Sequence, residues 1–278
     1  MHRTNQIFIL FTAIILIFMN GCSDDSSTSI NNGQNNFKLI LTDAPLPIDF
    51  VKSAIVTISK IELKKSNESE PDQFILISDK TVNLDLLTLR NGITETLALM
   101  NVPNTSYKMI RLTIDSAIII LKDSREFKLD IPPNWIEITL NPLLTIQENS
   151  VSEILLDFDL SSSFELEGDP SKIDSVSGFK FNPQIRAINM TNTGIIYGKV
   201  TDNANSNALY NARLWIEGQQ QSDISTFSNE DGYYKIIGVP IGTFIVHCTK
   251  DGYVEKTAID IIVSKGNSEI VNFELNKQ

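Results

Sequence analysis

Asp157 and Asp159 stand two apart in the stretch ILLDFDL, alternating with Leu156, Phe158 and Leu160. Such alternation predicts a strand carrying both carboxylates on one face, their Cα atoms ~6.7 Å apart. Carboxylates at that spacing could act as an acid/base pair on a glycoside or hold a hard cation such as Ca2+. Glu165, Glu167, Asp169 and Asp174 crowd the following loop and extend the candidate cation-binding set, without EF-hand spacing. The simpler reading is the outward polar face of a half-buried strand and a solvated charged loop. His247 and Cys248 are adjacent. Strand neighbours point to opposite faces, so the two cannot share a metal or a proton; a buried thiol and a surface imidazole are expected. Asp43, in a turn before Pro45, reads as a cap for backbone N–H groups. No catalytic residue is assigned.

The candidate ligand-binding residues are two tryptophans. In ARLWIEG, Ala212, Leu214 and Ile216 take the inner face, which leaves Trp215 outward between Arg213 and Glu217. An outward indole could stack on a sugar ring or pack against a neighbouring domain. Trp135 follows the rigid turn PPN and is a second exposed candidate. Of Tyr233 and Tyr234, one is expected in the core and one at the surface.

The elements that must position these residues are strands. FKLILTD, SAIVTISKIEL, RLTIDSAIIIL and ILLDFDL alternate or are β-branched, and APLP, RNG, VPN, PPN and GDP punctuate them. A helical period appears only around LDLLTLRNG, as a single turn. Strands at short spacing without alternating helices predict an all-β chain of two antiparallel β-sandwich domains, over 37–190 and 194–278. No internal repeat, P-loop or GxGxxG is present. The 278 residues carry 23 Lys and Arg against 34 Asp and Glu. That balance argues against a nucleic-acid partner, which demands clustered cations.

Before Phe37 the composition is different. Ile7 to Met19 is apolar except for Thr12. As a helix this run spans ~20 Å, short of a ~30 Å hydrocarbon core, and reads as a signal segment. Ser23 to Asn36 is Ser, Asn and Asp rich and predicts a flexible tether. Met19-Asn20-Gly21-Cys22 resembles the bacterial lipobox, with Met19 and Asn20 departing from the usual residues. The resemblance implies a signal peptide over 1–21, cleavage before Cys22, and acylation of that thiol and the new amino group. Three acyl chains would anchor the protein to a membrane, at about 0.8 kcal/mol per buried CH2. Ser23-Asp24-Asp25 resembles the acidic export tag of surface lipoproteins.

Two further resemblances cover the rest. Leu41-Thr-Asp43-Ala-Pro45, Leu84-x-Leu86-x-x-Leu89-Arg-Asn-Gly92, Tyr107-x-x-Ile110-Arg111-Leu112, Leu156-Asp-Phe158-Asp159 and Pro183-x-Ile185-Arg186 resemble domain of unknown function 4382. That implies a β-sandwich and brings no catalytic residues. Gly198-Lys-Val200-Thr-Asp202, Thr226-x-Ser228-x-x-Asp231-Gly232-Tyr233-Tyr234 and Gly238-x-Pro240-x-Gly242-x-Phe244 resemble the carboxypeptidase regulatory-like domain, a transthyretin-like sandwich. Phe244 stands where that family often has Tyr. The combined expectation is a cell-envelope lipoprotein at the outer membrane or cell surface, acting as a non-catalytic binding or adhesion module for a glycan or protein. Alternatives are a structural spacer docked to an envelope complex, and a carboxylate-dependent hydrolase. No cofactor is expected beyond Ca2+.

Overall fold

Two long strands, Val51–Lys65 and Ser106–Leu121, pair antiparallel along most of their length. Ala54, Val56 and Ile58 face inward on the first, and then Ile61 and Leu63 do. The inward phase switches from even to odd numbers because the register is irregular between Thr57 and Lys60. The partner strand switches likewise, from Ile110, Leu112 and Ile114 to Ala117, Ile119 and Leu121. An extra residue bends the ribbon and keeps apolar side chains on one face through the bend.

The computed structural model describes residues 35–278 apart from 45, 47, 67–72, 132 and 218–223. The signal peptide, Cys22 and nearly all of the tether lie outside the described residues. Asn36, expected at the tether's end, is held in place. Its Nδ2 donates to the Val102 carbonyl and its Oδ1 accepts from the Val102 N–H, both at 2.9 Å. Among the described residues no helix is long and apolar enough to cross a membrane.

The long ribbon belongs to a six-stranded sheet. Opposite it lies a four-stranded sheet in the order Ile185–Asn189, Ser152–Asp159, Phe37–Ala44, Glu95–Met100. Between them sits a core that includes Phe37, Leu39, Leu41, Leu112, Leu156 and Phe158. The chain is all-β as expected, but not all pairings are antiparallel. Phe37–Ala44 and Ser152–Asp159 run parallel, because the whole six-stranded sheet is inserted between them in sequence. The helical turn expected near LDLLTLRNG is a 3-10 turn, Leu86–Thr88.

From Thr193 a second core forms between two more sheets. Thr193–Asp202 lies beside Tyr233–Pro240 and pairs parallel with Ser268–Ile270 and Phe273–Leu275. Opposite are Ile224–Phe227, Arg213–Ile216, Gly242–Thr249 and Lys256–Val263. Ala212, Leu214 and Ile216 point inward as predicted, and Gly232 has the positive φ that its turn requires.

The two halves touch through the back of the four-stranded sheet. Leu155 is 1% exposed without joining the first core. Gly238, at φ +69°, passes so close that a Cβ there would lie 2.9 Å from Leu155 Cδ2 and 3.2 Å from Ile188 Cδ1. Gly238→Ala meets both a disfavoured backbone and a crowded contact. It should lower the unfolding free energy by about 1–2 kcal/mol, read by urea denaturation.

Candidate functional site

Asp43 is the residue the sequence placed least well. It lies in a strand and not in a turn, although one backbone N–H, that of Leu160, does act on its carboxylate. It continues the inward series Phe37, Leu39, Leu41 at the end of the first strand and is 5% exposed. No side chain among the described residues hydrogen-bonds its carboxylate oxygens; the backbone N–H of Leu160 is the donor that acts on them. Burial pushes its carboxyl well above the usual carboxylate range, and the charges of Asp157 and Asp159 push the same way. The Leu160 N–H and the exposed Arg90 pull it back less.

Asp157 and Asp159 do not form a solvated outward face. Asp157 is 13% exposed and ion-paired with Arg186, its register partner on the neighbouring strand. Burial raises its carboxyl, against the lowering influence of Arg186. The four-stranded sheet is covered on that side by the C-terminal half, which is why the polar face is not wet. Asp159 caps the turn Leu160–Ser163, accepting from the Ser162 N–H at 3.0 Å and from the Ser161 and Ser162 hydroxyls at 2.7 Å. The proposed carboxylate pair is therefore split between two tasks.

Glu165, Glu167 and Asp169 do not converge with them. Glu165 and Glu167 flank Lys180 on an exposed hairpin, at 3.5 and 3.7 Å. Asp169 accepts from the Ser171 N–H and hydroxyl and lies 3.5 Å from Lys172. Among the described residues no group of three or more His, Cys, Asp or Glu side chains could hold a metal ion.

A crevice of about 20 Å³ lies where the halves meet, lined by Thr42, Asp43 and Asp157 on one side and Ser225, Thr226 and Lys235 on the other. Thr226 is 3% exposed and its Oγ1 has no partner among the described residues. The crevice has room for a water-sized body and not for a sugar.

Trp215 is outward, but not open. Its ring stacks on His247 at 4.7 Å and 11°, and the Arg213 guanidinium lies 4.7 Å from its centroid. The pairing Trp215↔His247 across strands produces this stack. His247 is consequently not a surface imidazole. Its side chain is 13% exposed, with Nδ1 3.2 Å from Glu255 and Nε2 3.4 Å from Glu217. Cys248 faces the core at 0% exposure, and burial pushes its thiol up to about 12. Iodoacetamide at pH 8 should leave Cys248 unlabelled in the native protein and modify it on unfolding, read by peptide mass spectrometry. Trp135 is 42% exposed, 5.1 Å from the Arg111 guanidinium, which also covers Phe74 at 3.6 Å and pairs with Glu137.

The aromatic pair with a groove is a different one. Tyr197 and Tyr233 are 38% and 54% exposed on the outer face of the Thr193–Asp202 sheet. With Lys235, Ser268 and Asn91 they line a groove of about 360 Å³. Lys199 Nζ lies 5.0 Å from the Tyr233 ring. Asn91, at φ +63° in the first half, fixes the groove's end: its Oδ1 accepts from the Lys235 N–H at 2.6 Å and its Nδ2 donates to the Tyr233 carbonyl at 3.3 Å. Tyr234 points inward, its hydroxyl donating to the Val271 carbonyl at 2.6 Å. Sequence alternation already separated Tyr233 from Tyr234; what it lacked was the neighbouring strand that brings Tyr197 alongside.

The model of a domain of unknown function, DUF4382, matches residues 34–174, and that of a carboxypeptidase regulatory-like domain matches 195–276. No curated protein matches the chain. Among solved structures, a candidate carbohydrate-binding protein of Bacteroides uniformis is 15% identical, with 30% of this chain and 41% of that one covered and a TM-score of 0.26. A type II cohesin–X-dockerin complex of Acetivibrio cellulolyticus is 16% identical over 30% of this chain and 56% of that one, at 0.25. The minor pilin GBS52 of Streptococcus agalactiae is 11% identical over 87% and 96%, at 0.26. The chain thus spans less than two thirds of the first two.

Proposed function

This chain belongs to the family of the domain of unknown function DUF4382, and we propose that it is a lipid-anchored, non-catalytic binding module of the cell envelope whose groove takes a glycan. The observation that supports this is the exposed pair Tyr197 and Tyr233 along a groove with Lys235 and Ser268 at its sides. Sugars present apolar C–H faces that stack on phenol rings, and hydroxyls that bond to a polar rim. The anchor rests on Cys22 and the apolar run before it.

A glycan array probed with the full-length chain tests the reading. Tyr197→Ala and Tyr233→Ala should each weaken retention of the bound glycan about tenfold, or ~1.4 kcal/mol of lost stacking. Both rings point out of the sheet, so circular dichroism should be unchanged. Undiminished binding by the double variant would remove the groove from the account. A second reading, docking to an envelope protein, is favoured by Ile259, Ile262 and Ile270, each more than 60% exposed. An empty array followed by a specific cross-linked partner at these residues would favour it.

A further inference from the structure

The groove carries a charge pattern that narrows what it can hold. Four side chains on the outer face of the sheet stand in register: Tyr197 opposite Lys235, and Lys199 opposite Tyr233. The two rings therefore occupy one diagonal of the quartet and the two lysines the other. Diagonal neighbours on a sheet face lie roughly 7–8 Å apart, so a sugar chain laid along the rings has an ammonium to either side. Lys199 Nζ lies 5.0 Å from the centre of the Tyr233 ring, within cation–π reach. The Lys235 stem lies against the first half at Gly92, where a Cβ would come within 2.9 Å of the Lys235 Cδ. Among the described residues neither ammonium has an ion-pair partner. Resting on the reading of this groove as a glycan site, we propose that its ligand is an acidic polysaccharide, whose carboxylate or sulfate groups meet Lys199 and Lys235 while its sugar rings stack on Tyr197 and Tyr233.

A neutral sugar would use the rings and leave both cations facing water. A carboxylate or sulfate at the edge of a stacked sugar gains a charge-assisted hydrogen bond from either ammonium. The acids of the nearby crevice do not occupy Lys235, because the cations that act on Asp43 and Asp157 are Arg90 and Arg186. Glu269, beside Ser268, is the register partner of inward-facing Ile196 and accepts from the Asn267 side chain at 2.7 Å. Glu274 stands opposite Thr201, two residues beyond Lys199, and no ion pair joins it to Lys199. The chain's net charge of -11 opposes an anion at long range. Salt screens that field beyond about 8–10 Å, which leaves the two local cations to decide the contact.

The test is an array of matched pairs probed with the full-length chain: polygalacturonate beside its carboxyl-reduced form, and carrageenan beside its desulfated form. The first pair reports on a carboxylate and the second on a sulfate. At about 50 mM NaCl, at least one acidic member should be retained about tenfold more tightly than its neutral counterpart, and at about 500 mM most of that difference should vanish. Lys199→Met and Lys235→Met keep the stems and remove the charge. Each should weaken retention of the acidic member about fivefold and leave the neutral one unchanged. Equal retention of acidic and neutral members, with both tyrosines still required, would overturn the charge preference and leave the glycan groove standing. An acidic preference undiminished by Lys199→Met with Lys235→Met would overturn the role of these two lysines. Acidic retention that survives Tyr197→Ala with Tyr233→Ala would overturn the groove and the proposal together, since the polymer then binds elsewhere. If no member of either pair is retained, the acidic ligand is overturned, and binding of neutral glycans alone decides the groove.

Discussion

Replacing Arg186 with leucine is expected to lower the unfolding free energy by about 3 kcal/mol. Arg186 and Asp157 are register partners on adjacent strands and form an ion pair 28% and 13% exposed. Removing the guanidinium leaves the Asp157 carboxyl largely buried, with no cation to answer it and with Asp43 and Asp159 nearby. Breaking a fully buried pair costs about 3–5 kcal/mol, and the partial exposure of Arg186 places this one at the lower end. The same argument predicts that Arg186→Leu with Asp157→Leu together recovers most of the loss, because no lone charge remains. Urea denaturation of the two single variants and the double gives the coupling directly. If Arg186→Leu costs under 1 kcal/mol, the pair does not anchor this face. If the double is worse than either single, the charges are needed for something other than each other.

The strand content was legible because period-two alternation is local, but the switch of inward phase between Thr57 and Lys60 was not, because it depends on the partner strand's register. The alternation in SAIVTISKIEL puts Ala54, Val56 and Ile58 on one face, and in the fold that face is the inner one. The parallel pairing of Phe37–Ala44 with Ser152–Asp159 was not legible, since alternation says nothing of which strand lies alongside. The site suffered from the same gap. Trp215 was read as outward correctly, but its cross-strand neighbour His247, which covers it, belongs to a strand thirty residues on. Asp157 and Asp159 were placed on a polar face correctly, but that face is roofed by the C-terminal half. Asp43 carried a usable signal that went unread. It extends the series Phe37, Leu39, Leu41, and an acid in phase with three core residues is costly unless something answers its charge. Reading the nearby proline as a turn marker hid that phase.

Phe158→Ala is expected to be costlier than the loss of Arg186, about 3–5 kcal/mol in urea with an unchanged m-value. Phe158 is fully buried on the second strand of the four-stranded sheet, its ring parallel to that of Phe181 at 6.2 Å and 8°. Phe181 in turn leans on Phe164 at 4.7 Å, so one truncation loosens three rings. Phe181→Ala should cost less, because Phe181 is only partly buried. Phe158 is also the register partner of Asp43, which sets the two side chains next to each other on the inner face. A cavity opened there touches a buried carboxyl that no side chain answers, and admits water. Hydration relieves part of the burial penalty on Asp43, so the cavity's cost and that relief partly cancel in Phe158→Ala. Asp43→Asn removes the ionisable group beforehand and with it the relief. The double variant should therefore lose more than the sum of the singles. Strict additivity would mean that Phe158 does not shield Asp43 from solvent, and that the carboxylate's isolation comes from the C-terminal half alone.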